Sequence, residues 1–97
     1  MIQLHKLKIE SEYARAKIRG AKPFEIRKND RDYKVGDIIH YTVINDEYAN
    51  QEMQNKLYRI TYITSYMQKD GYVVFGDELA TILDKEEYRI KWHKAKK

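Results

Sequence analysis

The hydrophobic pattern starts with a period of two: Ile2 to Ile9 alternates apolar and polar residues up to Lys6-Leu7, which predicts a first strand. The pattern then changes. Ser11 offers an N-cap, Glu12 places a carboxylate in a first turn, and the residues up to Arg19 are good helix formers. Tyr13, Ala14, Ala16 and Ile18 supply the inward stripe of this short helix, and Arg19 with Gly20 beyond it are the stop signals. Pro23 has no amide hydrogen to give to a ladder, so it opens or edges the next strand, Phe24 to Arg27. There the alternation points Phe24 and Ile26 at the core and leaves Glu25 and Arg27 on the other face.

Val35-Gly36-Asp37 then turns into a β-branched and aromatic strand from Ile38 to Ile44. Residues 45–55 are acidic and amide-rich without a period, and read as a loop or a short helical insert. Leu57 to Thr64 carries the longest strand signal, Gln68-Lys69-Asp70-Gly71 makes a turn, and Tyr72 to Phe75 follows as another strand. Residues 77–85 fit no pattern clearly. Glu87 to His93 alternates as a last strand, and Lys94 to Lys97 reads as a disordered basic tail. The expected fold is mainly β (α+β): one domain over residues 1–97, a small barrel or half-barrel of five or six strands, one helix after strand one, and no βαβ rhythm. Closing such strands on themselves removes exposed edges.

Composition narrows the functional classes. The chain has no cysteine, which removes disulfide frameworks, thiolate zinc sites and cysteine nucleophiles and suits a reducing cytoplasm. The three histidines, His5, His40 and His93, lack metal-ligand spacing, and no glycine-rich phosphate cradle is present, so neither a metal nor another cofactor is expected. No apolar run approaches the roughly 20 residues of a membrane helix. The expectation is a soluble cytoplasmic protein without a membrane partner. Charge is uneven along the chain: residues 1–45 hold ten Lys/Arg against six Asp/Glu, residues 46–84 three against seven, and residues 85–97 six against two. Basic ends of this kind suit a phosphate-facing surface. The nine tyrosines are strand fillers that can also stack on bases.

The chemistry concentrates between Gly20 and Asp37, where charges of both signs surround a very short apolar alternation. Glu25 and Arg27, two residues apart, form a natural pair: either a brace or a recognition pair in which the carboxylate orients the guanidinium, and the continuation with Lys28 and Arg31 favours recognition. Lys22 meets Glu25 only if the chain bends at Pro23. Asn29 and Asp30 read first as turn residues and alternatively as base readers. His5 is a satisfied histidine at the cleft margin, with Lys6 and Lys8 beside it as phosphate contacts.

Four segments together carry a family likeness: His5-Lys6-Leu7-Lys8; Gly20-x-Lys22-x-Phe24-Glu25-Ile26-Arg27-Lys28-Asn29-Asp30-Arg31-Asp32-Tyr33; Val35-Gly36-Asp37; and Gly71-Tyr72-Val73-Val74. Over about residues 4–75 the chain resembles ASCH-like members of the PUA-like superfamily. More narrowly, it resembles a bacterial and phage domain of unknown function of the DUF3850 type. The resemblance implies a pseudo-barrel with a helix across one opening, a charged cleft beside it, and RNA or a nucleotide-like ligand as partner. One ASCH branch consists of amidohydrolases that deacylate the exocyclic amine of cytidine with a lysine, a threonine three residues later and a distant glutamate. Lys22 matches that lysine, Glu25 stands in the threonine's place, and Glu78 or Asp77 offers the acid. Enzyme activity is therefore an alternative, with Lys22 and Glu25 as its catalytic candidates. Recognition of a protein partner by the charged block is a further one.

Overall fold

The computed structural model describes residues 2–80. The predicted strand over residues 87–93 and the basic tail 94–97 lie outside the described residues. Five strands and two helices follow one another as β1 (Leu4–Glu10), α1 (Ser11–Ile18), β2 (Phe24–Lys28), β3 (Ile38–Ile44), α2 (Glu47–Gln54), β4 (Tyr58–Thr64) and β5 (Tyr72–Leu79). One sheet in the order β1-β3-β4-β5-β2 curls into a half-barrel, a mainly β architecture in which β1 and β2 are the two edges among the described residues. β1 runs parallel to β3, and the other neighbours are antiparallel. The expectation of no βαβ rhythm is thus corrected at one place, because a parallel neighbour needs a crossover, here through α1 and β2.

The concave side holds the core. His5, Leu7 and Ile9 point inward from β1, opposite Ile39, Tyr41 and Val43 of β3, and Tyr58, Ile60, Val73 and Phe75 complete the layer. Each fully buried aliphatic or aromatic side chain contributes roughly 1.5–3 kcal/mol. Tyr33, from the long loop after β2, closes the interior by stacking between His5 and Phe75 at ring distances of 4.8 and 5.0 Å. Gly36 and Gly71 take φ of +96° and +83°, conformations that any Cβ would strain, and so permit the turns into β3 and β5.

Of the two readings of residues 45–55 the short helical one holds: Asp46 caps α2 by accepting from the Ala49 amide at 3.0 Å, and Ala49 and Met53, one turn apart, are buried. Three expectations change. Ser11 is the first helical residue rather than the cap; Glu10 holds the cap position without a side-chain bond, and the Ser11 hydroxyl donates to Asp46. Together with Arg15, 2.8 Å from the same carboxylate, that bond fastens α1 to α2. The fifth strand runs on through Asp77 to Leu79 instead of stopping at Phe75. Finally, β2 is turned over: Glu25 is buried and Arg27 half-buried, while Phe24 and Ile26 are 40% and 55% exposed.

Candidate functional site

The reversal of β2 builds the site. In the β2–β5 ladder Glu25 stands opposite Phe75, so its carboxylate enters the interior beside the next inward residue of β5, Asp77. Two buried acids side by side require counter-charges. Lys17 supplies the first of these. It lies three positions after Ala14 on the buried face of α1, and its side chain is only 1% exposed. Its Nζ reaches Asp77 Oδ1 at 2.6 Å and Glu25 Oε2 at 3.2 Å and donates to the Lys22 carbonyl at 3.2 Å. The same ammonium lies 5.3 and 5.5 Å from the ring centroids of Tyr41 and Tyr58, whose electron-rich faces favour a cation. The Tyr41 hydroxyl donates to the other Asp77 oxygen.

Glu25 links this interior cluster to the surface. Oε2 also accepts from Lys22 Nζ at 2.8 Å, and Oε1 accepts from Arg27 at 3.1 Å. Lys22 lies before β2, just after a backbone bend at Ala21, and its Nζ comes to the same carboxylate as Arg27. Both cations remain partly in solvent, with side chains 20% and 24% exposed against 4% for Glu25. Three cations face two acids in this network, so it carries one net positive charge when all are ionised.

The two acids shift in opposite directions. Burial pushes the Glu25 carboxyl up, but the hydrogen bond from Lys22 and the charges of Lys17, Lys22 and Arg27 outweigh it and hold the group below its ordinary range. For Asp77 burial prevails over the help from Lys17 and Tyr41, and nearby Glu25 adds to the rise. Burial, followed by the Asp77 charge, lifts Tyr41 far above the usual phenol range and pushes Tyr58 up to about 12. Glu25 is consequently a fixed anion near neutrality, and Asp77 is the acid of the pair that holds a proton more readily.

Since β1 and β2 are both edges among the described residues, a seam runs between them. Arg27 spans it by donating from Nη2 to the Lys8 carbonyl at 3.0 Å. On one side of this bridge a groove of about 410 Å³ is lined by Ile9, Tyr13, Lys22, Phe24, Glu25 and Ile26 among others. The Tyr13 and Phe24 rings flank the Lys22 ammonium at 5.0 and 5.3 Å. On the other side a groove of about 460 Å³ is lined by Lys6, Lys8, Lys28, Asp30, Arg31 and Tyr33 in addition to Arg27. Among the described residues no group of three His, Asp or Glu side chains gathers as metal ligands.

The structure therefore brings Lys22, Glu25 and Arg27 into the first groove, and Arg27, Lys28, Asp30, Arg31 and Lys6 into the second. Two predicted residues lie elsewhere. Asn29 is a turn residue, its side chain accepting from the Tyr33 amide at 3.3 Å and its own amide donating to Gly71. His5 is buried against Asp37 at 2.8 Å, beneath the Tyr33 ring rather than among the groove residues. Of the two candidate acids, Asp77 joins the network, and Glu78 is a largely exposed residue 4.0 Å from Arg59. Lys17 and Tyr41 are the interior residues that sequence reasoning missed. The one signal for Lys17 was its position, three residues from Ala14 on a helix whose inward stripe was already marked.

A curled five-stranded sheet with a charged interior opening on an edge-to-edge seam defines the class of domain. The chain belongs to the family described as a domain of unknown function, DUF3850, whose model matches residues 4–76, from the start of β1 to the middle of β5. No curated protein matches the chain.

Proposed function

We propose that the seam binds RNA or a nucleotide-like ligand through Lys22, Glu25, Arg27, Lys28 and Arg31, in a cytoplasmic protein of the ASCH-like, PUA-like type that its motifs resemble. One observation carries this reading. Lys8, Lys28 and Arg31 line a single groove with no carboxylate partner among the described residues, beside an Arg27 already oriented by Glu25. Unpaired cations along a groove attract a polyanion, and an oriented guanidinium is the usual partner of a phosphate or a base edge. No helix of the described residues is long and apolar enough to cross a membrane, so the basic groove belongs to no membrane-spanning helix among them.

A second reading, deacylation of an N4-acylated cytidine, is favoured by the contact between Lys22 and Glu25 and by Asp77 behind them on Lys17. Against it, both Glu25 oxygens are occupied by cations, which leaves this acid poorly placed to carry a proton. Backbone-amide NMR titration with a short mixed single-stranded RNA, and separately with N4-acylated cytidine followed for product, tests both readings. Shifts from Lys22 to Arg31 with RNA and no deacylation support the binding module. Product that vanishes in Lys22→Ala replaces it with the enzyme, and silence in both arms replaces it with a protein partner.

A further inference from the structure

The seam has two chemically different halves on either side of one fixed side chain, which constrains the size and polarity of its occupant. We infer that the ligand is a nucleoside phosphate of about one nucleotide's length that straddles Arg27, with its phosphate among Lys8, Lys28 and Arg31 and its ring in the groove beside Tyr13 and Phe24. This assignment rests on the nucleotide reading above and adds to it a length, an orientation and a required charge.

The charge follows from the second groove. Lys8 projects from β1, Lys28 from the end of β2 and Arg31 from the loop beyond it, so three separate stretches of backbone place cations around one space. Among the described residues, the single acid lining that groove is Asp30. Like charges gathered in this way repel until an anion arrives, and a dianionic phosphate accepts from all three at once. The ring follows from the first groove. Its walls are the aromatic rings of Tyr13 and Phe24 with Ile9 and Ile26; Lys8, Lys22 and Arg27 bring cations to it and Glu10 a carboxylate, while the Glu25 oxygens are taken. A flat heteroaromatic ring with acceptors on its edge matches such a space. The length follows from the ladder: Glu25 and Lys28 are three residues apart, about 10 Å along a strand. Arg27 and Lys8 line both grooves, so a ligand seated in both must pass the bridge they form.

The test is a calorimetric and NMR titration of the intact chain with the four ribonucleosides, their 5′-monophosphates, inorganic phosphate and a short single-stranded RNA, repeated on Lys28→Ala/Arg31→Ala. At least one monophosphate is expected to bind tenfold or more tightly than its nucleoside, with inorganic phosphate competing. In the double variant that ratio falls to about one. Equal binding of nucleoside and monophosphate at the seam overturns the phosphate assignment and leaves the nucleotide reading standing. RNA binding without response to any monophosphate overturns the one-nucleotide length. If none of the probes shifts the amides of Lys22 to Arg31, both this assignment and the reading beneath it fall.

Discussion

Asp37 and Glu25 are both carboxylates sunk into the half-barrel, and their partners are opposite in kind. Asp37 accepts from the amides of Gln3 and Lys34 and from the His5 ring. Two of these donors are backbone, and none offers a spare group to the seam. Glu25 accepts from Lys17, Lys22 and Arg27, three side chains, of which two extend into solvent-filled grooves. Burial of an acid therefore does not by itself mark a functional site. What separates the two is whether the donors end at the acid or continue outward with binding capacity left over.

The sharpest way to break this comparison is to remove the cation on which the seam network rests. Lys17→Met leaves Asp77 and Glu25 facing each other in the interior, and urea unfolding should show a loss of about 3–5 kcal/mol. Adding Asp77→Asn to that variant should cost less than the two single losses summed, because the partners share one interaction. An additive result would mean that Lys17 is held by packing rather than by charge.

Next in size is Asp37→Ala. It orphans the amides of Gln3 and Lys34, and a cost of about 1–3 kcal/mol is expected, while RNA-induced shifts at Lys22 to Arg31 persist. Loss of those shifts in a folded variant would erase the distinction between the two acids.

A subtler effect appears in acid. The lowered Glu25 contributes stability that is present above its unfolded value near 4.5 and lost as pH falls through the folded value. The raised Asp77 does the reverse: it penalises the folded state at higher pH, and the penalty is relieved as pH falls through its folded value. Stability followed from neutral pH downward should thus fall less steeply in Glu25→Gln than in the parent chain and more steeply in Asp77→Asn. Matching slopes in the two variants would show that the acids are not oppositely shifted. The smallest change in stability is expected for Lys28→Ala/Arg31→Ala, whose unfolding midpoint should stay at the parent value while the salt dependence of RNA binding becomes shallower by about 1.4 in log–log slope.

Much of the fold was legible because it follows simple periodicities. β3 and β4 are apolar, β-branched runs, and α1 has its stop signals at Arg19 and Gly20. α2 is legible only as one of two alternatives, because its amphipathic signal reduces to Ala49 and Met53 within a polar stretch, although Asp46 is an ordinary cap. The orientation of β2 was read backwards because the rule that apolar residues face inward assumes an apolar interior. Here the interior opposite β2 contains Lys17 and Asp77, which are 60 positions apart and become neighbours only once α1 crosses the sheet. The charged block was visible in the sequence, but its division into two grooves was not, since that division depends on one hydrogen bond from Arg27 to a β1 carbonyl.

The inverted strand also bears on how the protein survives at high concentration. Among the described residues β2 is an edge, and its outward Phe24 and Ile26 would suit pairing with the same strand of another molecule. A docking chain would have to lie alongside a strand whose inner face is ionic, between a proline at one end and a lysine at the other. Arg27, by reaching from β2 to the Lys8 carbonyl, also occupies the approach to that edge, and Arg27→Ala is expected to leave it more open to a second chain.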